Sequence, residues 1–334
     1  MPSALAIVFP EKERAVLEEF EVPRPAEGEV LVRAEVSCVS AGTELSVYLG
    51  SYDDEEVPQR YPARPGYANI GHIEEIGASV HGLEVGDRVL TMANHSSHYL
   101  RREGKDVLEV IPDDVHSDHA ALAVLAQVAL SGLQRHPPQL GQSAVVTGQG
   151  VIGQFLLQFL KAAGCRPVIA ADILDQRLEK SEVSGADLTV NAAKDDAAAA
   201  IRSATGGKGA DLIYDCTRTA KTLESHFKVA ATRGTIVIVG GLVDTVPINF
   251  FRDFILRELT LTGTFQPSVP TEATPRTPWT QQGNRKIYLD MLREGNVRTD
   301  HLITHKVKPT DAPDIYDMLR KGGQESLGIL FDWS

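Results

Sequence analysis

Cysteine is scarce in this chain. Its 334 residues hold three, Cys38, Cys165 and Cys216. They stand too far apart to imply a disulfide framework or the close cluster that holds a structural zinc. Cys165 and Cys216 read as small packing residues. Basic charge is also short: 33 Lys and Arg against 45 Asp and Glu leave a net charge of −12. That balance argues against nucleic acid or an anionic membrane as a partner, because phosphate surfaces want a basic face. No apolar run reaches membrane-spanning length. The segment Met1 to Pro10 lacks a basic region and contains proline, so it reads as a first strand rather than a secretory signal. A cytoplasmic protein is the expectation.

Apolar residues are plentiful, at 43%, and the length suits one or two domains. The most informative stretch runs from Val145 to Leu160, with Asp172 beyond it. A β-branched run leads into Gly148-x-Gly150-x-x-Gly153, a pattern of helical period follows, and a second apolar run ends on the acid. This is the order of a dinucleotide-binding βαβ unit. Gly148 allows the tight turn, Gly150 lets backbone N–H groups approach a pyrophosphate, and Gly153 lets the helix pack on the strand. Val151 and Ile152 open that helix, whose N-terminal N–H groups face the phosphates. Asp172 suits the hydroxyls of the adenosine ribose and repels a 2′-phosphate, which points to NAD rather than NADP; Ile173 sits beside it. Arg177 either reaches a phosphate or is a solvated residue of the next helix.

The first 120 or so residues carry short β-type runs punctuated by Gly and Pro, as in a β-rich domain. Asp118 to Gln134 reads as one helix. Strands are expected at 143–147, 167–171, 188–191, 211–215, 235–239 and 259–263, with helices between most of them. The fold class is therefore α/β, a doubly wound parallel six-stranded sheet joined to a β-rich domain. After about Gly263 the alternation stops. The remaining pieces resemble the first domain, so the expected division is 1–122 with 265–334, and 123–264 for nucleotide binding. Cys216-Thr217 and Gly240-Gly241 follow two of the strands, where their backbone would line the adenine and nicotinamide ends.

Gly42-Thr43-Glu44 with Gly50, Pro65-Gly66-Tyr67, Gly71 through Gly77, Val85-Gly86-Asp87-Arg88-Val89, the glycine turn with Asp172, and Gly240-Gly241 together give the chain, over nearly its whole length, a resemblance to the medium-chain dehydrogenase/reductase superfamily. It implies a GroES-like catalytic domain, a Rossmann domain and a cleft between them. Zinc-dependent members carry Cys, His and Gly-His-Glu where this chain has Ala41, Ser46 and Gly66-Tyr67-Ala68. A catalytic zinc needs three N, S or O ligands, so no zinc is expected. Ser40 through Glu44 and the segment from Trp279 to Arg285 are most similar to the bacteriochlorophyllide dehydrogenase branch.

The resemblance places Thr43 beside the substrate oxygen, where a hydroxyl can donate and accept; it also suits a helix cap. Tyr67 takes a metal ligand's place, either as general acid or as filler. Glu44 either orients a proton relay or pairs with a cation. Among ten histidines, His95 is the chosen proton carrier, with one of His95 and His98 facing the pocket and the others on the surface or in packing. Gln127 can hydrogen-bond substrate or nicotinamide, and Trp279 either roofs the cleft or touches another subunit. The leading expectation is a zinc-independent, NAD(H)-dependent interconversion of a secondary alcohol and a ketone on a small or medium polar molecule. Reduction of an activated C=C bond and a non-catalytic nucleotide-binding protein are the alternatives. A homodimer is expected from the resemblance, with Val246 to Phe251 near its seam.

Overall fold

A computed structural model describes residues 3–51, 60–241 and 245–334. Contacts divide the chain into two units, residues 1–124 with 303–334, and residues 125–302.

In the first unit, β1 (Ser3–Glu11) and β2 (Arg14–Glu21) form an antiparallel pair. β3 (Glu29–Cys38) leads into α1 (Ala41–Leu49), followed by β4 (Asn69–Ile76), β5 (Arg88–Thr91), β6 (His98–Arg102), β7 (Leu108–Val110) and α2 (Ser117–Ala120). The helix expected from Asp118 to Gln134 is broken: α2 ends at Ala120 and α3 (Ala123–Arg135) begins after a turn.

The second unit alternates as expected: β8 (Ala144–Thr147), α4 (Val151–Ala162), β9 (Val168–Asp172), α5 (Asp175–Val183), β10 (Leu188–Asn191), α6 (Ala197–Ala204), β11 (Ala210–Asp215), α7 (Ala220–Val229), β12 (Ala230–Ile238) and β13 (Thr260–Gly263). The strand order is β10-β9-β8-β11-β12-β13, every pair parallel. Chain order reverses between β8 and β11, the switch point where doubly wound sheets bind ligands. β9 is buried at every residue, as a central parallel strand covered on both faces must be. Val145, Ile169, Ile213 and Ile236 supply a core on that sheet, each buried side chain contributing about 1.5–3 kcal/mol.

The chain rejoins the first unit at 303, not at 265 as the loss of alternation suggested. α8 (Gln281–Arg293) belongs to the second unit. Its Tyr288 ring meets the edge of Phe155 on α4, centroids 5.4 Å apart. Gln134 and Asn284 exchange two amide hydrogen bonds of 2.7 and 3.0 Å. Gln158 donates to the Arg298 carbonyl and accepts from its N–H, at 3.1 and 2.7 Å.

Beyond lie β14 (Ile303–Val307), α9 (Ala312–Arg320) and β15 (Gly328–Asp332). They complete a seven-stranded sheet, β14-β15-β3-β4-β5-β7, with β6 also paired to β3. Phe9, Tyr48, Tyr316 and Phe331 pack together under α9. Among the described residues no helix is long and apolar enough to cross a membrane.

Candidate active site

Ser40 precedes α1 and caps it without using its side chain. Instead the Ser40 N–H donates to Glu44 Oε1 at 2.7 Å, an acid in the first turn where the helix dipole favours negative charge. That frees the Ser40 hydroxyl to accept from the Tyr67 phenol. Thr43, exposed in the first turn of α1, lies close enough to Tyr67 to help pull its phenol pKa down. Three hydroxyls thus meet around Tyr67, which stands where zinc-dependent relatives are expected to carry a ligand. Burial pushes the Tyr67 phenol above its ordinary range, and the bonds to Ser40 and Thr43 pull it back only in part. The phenol therefore keeps its proton near neutrality and offers it as a donor.

Behind this group lies a closed polar cluster. Glu44 Oε2 sits 3.1 Å from His95 Nε2 and accepts from the Tyr316 hydroxyl at 2.6 Å. The other ring nitrogen, His95 Nδ1, is 2.8 Å from Ser37 Oγ, which accepts from the Trp333 indole N–H at 2.9 Å. Burial pushes the Glu44 carboxyl up, but His95, Tyr316 and the Ser40 amide more than offset it, so it stays below the usual carboxylate range. His95 is 0% exposed. The proton-carrier expectation for His95 is therefore corrected: both nitrogens are engaged and the ring is sealed behind Phe331, centroids 5.2 Å apart. It positions Glu44. His98 lies beside Glu74 on β6, the two 3.3 Å apart.

Ser37, Ser40, Tyr316 and Trp333 were missed in the sequence. Serines before a helix and aromatics near the end of the chain carry no motif, and their role follows from the antiparallel pairing of β15 with β3. The expected zinc positions hold poor donors: Ala41 and Ala68 have none, and the Ser46 hydroxyl is spent on the Gly42 carbonyl at 2.9 Å.

In the second unit the three glycines differ in kind. Gly148 has φ +88°, which only glycine adopts cheaply. A Cβ on Gly153 would lie 2.0 Å from the Gly148 carbonyl oxygen, so α4 can approach the turn only with glycine there. Gly150 caps α4, and no protein atom lies within 4 Å of where its Cβ would stand. Val151 and Ile152 follow as the first residues of α4. That leaves open space against the backbone N–H groups of a helix N-terminus, where an anion is favoured. Asp172 ends β9 and is 8% exposed. Its Oδ1 accepts from the Ile173 and Leu174 N–H groups at 2.7 and 3.1 Å, and its Oδ2 from Gln149 N–H at 2.6 Å. A carboxylate has about four lone-pair sites, so Oδ2 retains one beyond these three bonds. Ile173 is exposed and Arg177 half-buried on α5.

Cys216 and Thr217 follow β11, and Thr217 is fixed through Asp215, which accepts from its N–H and hydroxyl at 2.8 and 2.6 Å. Asp215 also lies 3.2 Å from His226, both buried, in a pair that the sequence did not reveal. A Cβ on Gly240 would strike the Thr217 carbonyl at 1.8 Å, so the ends of β11 and β12 close on each other there. Gly241 accepts from Arg218 at 3.1 Å. Gln127 is 0% exposed on α3, bonded to the buried Arg285. Trp279 is half-exposed in an irregular segment.

The family model for zinc-binding dehydrogenases matches residues 151–279, and that for the alcohol dehydrogenase GroES-like domain matches residues 26–129. The L-threonine 3-dehydrogenase of Pyrococcus horikoshii is 26% identical over 340 residues, covering 92% of each chain. An alcohol dehydrogenase of Geobacillus stearothermophilus is 29% identical over 351 residues, covering 95% of this chain and 96% of its own. A solved structure of a dehydrogenase from Sinorhizobium meliloti 1021, bound to NADP, superimposes with TM-score 0.82 at 20% identity over 99% of this chain and 100% of that one. Two family models that fall one on each unit, relatives matched nearly end to end and the fold itself agree: the chain belongs to the medium-chain dehydrogenase/reductase superfamily.

Proposed function

We propose that this oxidoreductase interconverts a secondary alcohol and a ketone with NAD(H), using hydroxyl groups in place of a zinc ion. The observation that carries the reading is the hydroxyl cluster of Ser40 and Thr43 around Tyr67, the residue that stands at the position of an expected metal ligand. When bound, the dinucleotide supplies the hydride acceptor or donor. The chain holds its pyrophosphate at Gly150 and the N-terminus of α4, and its adenosine ribose at Asp172. The NAD preference rests on Asp172, because a carboxylate there repels a 2′-phosphate. The NADP of the Sinorhizobium meliloti structure leaves this residue-level argument untouched at such low identity.

In ketone reduction Tyr67 turns its one O–H from Ser40 to the substrate oxygen and gives up that proton as charge develops there, and Thr43, exposed beside it, relays a replacement from solvent. In alcohol oxidation the proton leaves along the same chain in reverse. Glu44, held by His95 and Tyr316, fixes the Ser40 amide and so the start of α1. Protein stripped of metal by chelation and confirmed metal-free by elemental analysis is expected to oxidise members of a panel of secondary alcohols with NAD. Activity that appears only on adding zinc would overturn the reading.

A homodimer is part of the same proposal. β13 ends the six-stranded sheet with one side unpaired, and Phe250, Phe251, Ile255 and Leu256 are exposed just before it. An apolar patch beside a free strand edge suits pairing with a second copy.

A further inference from the structure

Gln127 and Arg285 are both buried in the second unit, at 0% and 2% exposure. The guanidinium donates to Gln127 Oε1. Arginine has no acceptor, so the atom facing it must be the amide oxygen, and the NH2 group is turned the other way. Gln127 Nε2 has no partner among the described residues. A buried donor left unpaired carries its full desolvation penalty, which an acceptor on a ligand would remove.

The direction of α3 says where that donor lies. His136, just past its C-terminus, is 3.3 Å from Thr235, four residues before Val239. A Cβ on Gly132 would lie 2.9 Å from Val239, just past the end of β12. The helix therefore runs antiparallel to the strand. Gln127 is five residues before Gly132, about 7.5 Å further along the axis. It stands beyond the carboxyl ends of the strands, the side on which doubly wound sheets take ligands.

We infer that Gln127 is a nicotinamide-recognition residue, its Nε2 donating to the carboxamide oxygen of the ring, and that Arg285 is the positioning residue that fixes the amide in this sense. The inference rests on the dinucleotide reading above. Gln127→Glu tests it, because the carboxylate keeps the shape and pairs with Arg285 but loses the donor. A carboxamide can turn and offer its own NH2 to a carboxylate, so the informative probe is the 3-acetylpyridine analogue of NAD, which has a carbonyl and no NH2. ADP-ribose, which lacks the ring, is the reference.

Titrations are expected to show Gln127→Glu binding ADP-ribose like the parent protein, and the acetylpyridine analogue at least tenfold more weakly. NAD should fall between, and the melting temperature should hold. Arg285→Met should weaken the analogue selectively in the same way, and Arg285→Lys should restore part of the loss. Equal affinity of parent and Gln127→Glu for the analogue would overturn the inference, as would equal losses for the analogue and ADP-ribose. Failure of the parent protein to bind ADP-ribose would overturn the dinucleotide reading itself, and this inference with it.

Discussion

The Glu44 carboxylate and the His95 imidazole lie 3.1 Å apart with both side chains closed to solvent. The pair joins β3, α1, α9 and the segment before β6, because Ser37, Ser40 and Tyr316 complete its hydrogen bonds. A buried charge is tolerable only when it is satisfied in this way.

The pair sets an acid limit on stability. Glu44 titrates below its ordinary 4.5 in the folded protein. The unfolded chain therefore binds its proton first as pH falls. The contribution is complete above the unfolded value and is lost as pH drops through the folded one. Thermal unfolding between about pH 3 and about pH 7 should show a steep acid limb that flattens in Glu44→Gln. At neutral pH that variant should lose about 1–3 kcal/mol. An unchanged acid limb would mean that other carboxylates set it.

Tyr67→Phe removes one oxygen atom and leaves the ring's packing. If the phenol stabilises the reacting oxygen, kcat should fall roughly 100-fold while the NADH Kd is unchanged. A variant with parental kcat would reduce Tyr67 to a space-filling ring.

The two glycines at the head of α4 should fail in different assays. Gly153→Ala drives a methyl into the Gly148 carbonyl and should lower the melting temperature sharply, by the several kcal/mol typical of overpacking, about 1–3. Gly150→Ala meets no protein atom and should keep its melting temperature while losing dinucleotide affinity at least tenfold, about 1.4 kcal/mol. Calorimetry and titration on both variants separate the two effects.

Asp172→Asn retains an acceptor for the Ile173 and Leu174 amides, turns its NH2 toward the Gln149 N–H and drops the charge, so cofactor choice is read as a ratio and not as an absolute affinity. The ratio of NADPH to NADH affinity should rise at least tenfold, about 1.4 kcal/mol. A ratio that does not move would shift cofactor choice to Arg177 or another group.

Replacing exposed Phe250 and Phe251 with Glu should turn a dimer into a monomer in light scattering, with little change in melting temperature. A parent protein that is already monomeric would sink the dimer proposal.

What could be read in the sequence follows from what writes a pattern there. The parallel strands were legible because central strands are uniformly apolar and the glycine turn is tied to a backbone geometry. Tyr67 and Thr43 were legible through their place in a motif. The Gln134–Asn284 and Gln158–Arg298 pairs were not, because buried amides at large sequence separation look like surface residues in any periodicity. The same blindness hid Arg285, the Asp215–His226 pair and the enclosure of His95. Burial of a polar group depends on finding its partner, and the partner is set by topology.

The amide clasps that hold α8 also say where this molecule can be cut. A splice near 264, where strand alternation ceases, is the one that the sequence pattern suggests. Here such a splice would strand Gln134 and Gln158 without their acceptors and donors and uncover Phe155. Breakpoints at 124 and 302 instead carry each clasp across intact, so chimaeras joined there should fold where those joined at 264 should not.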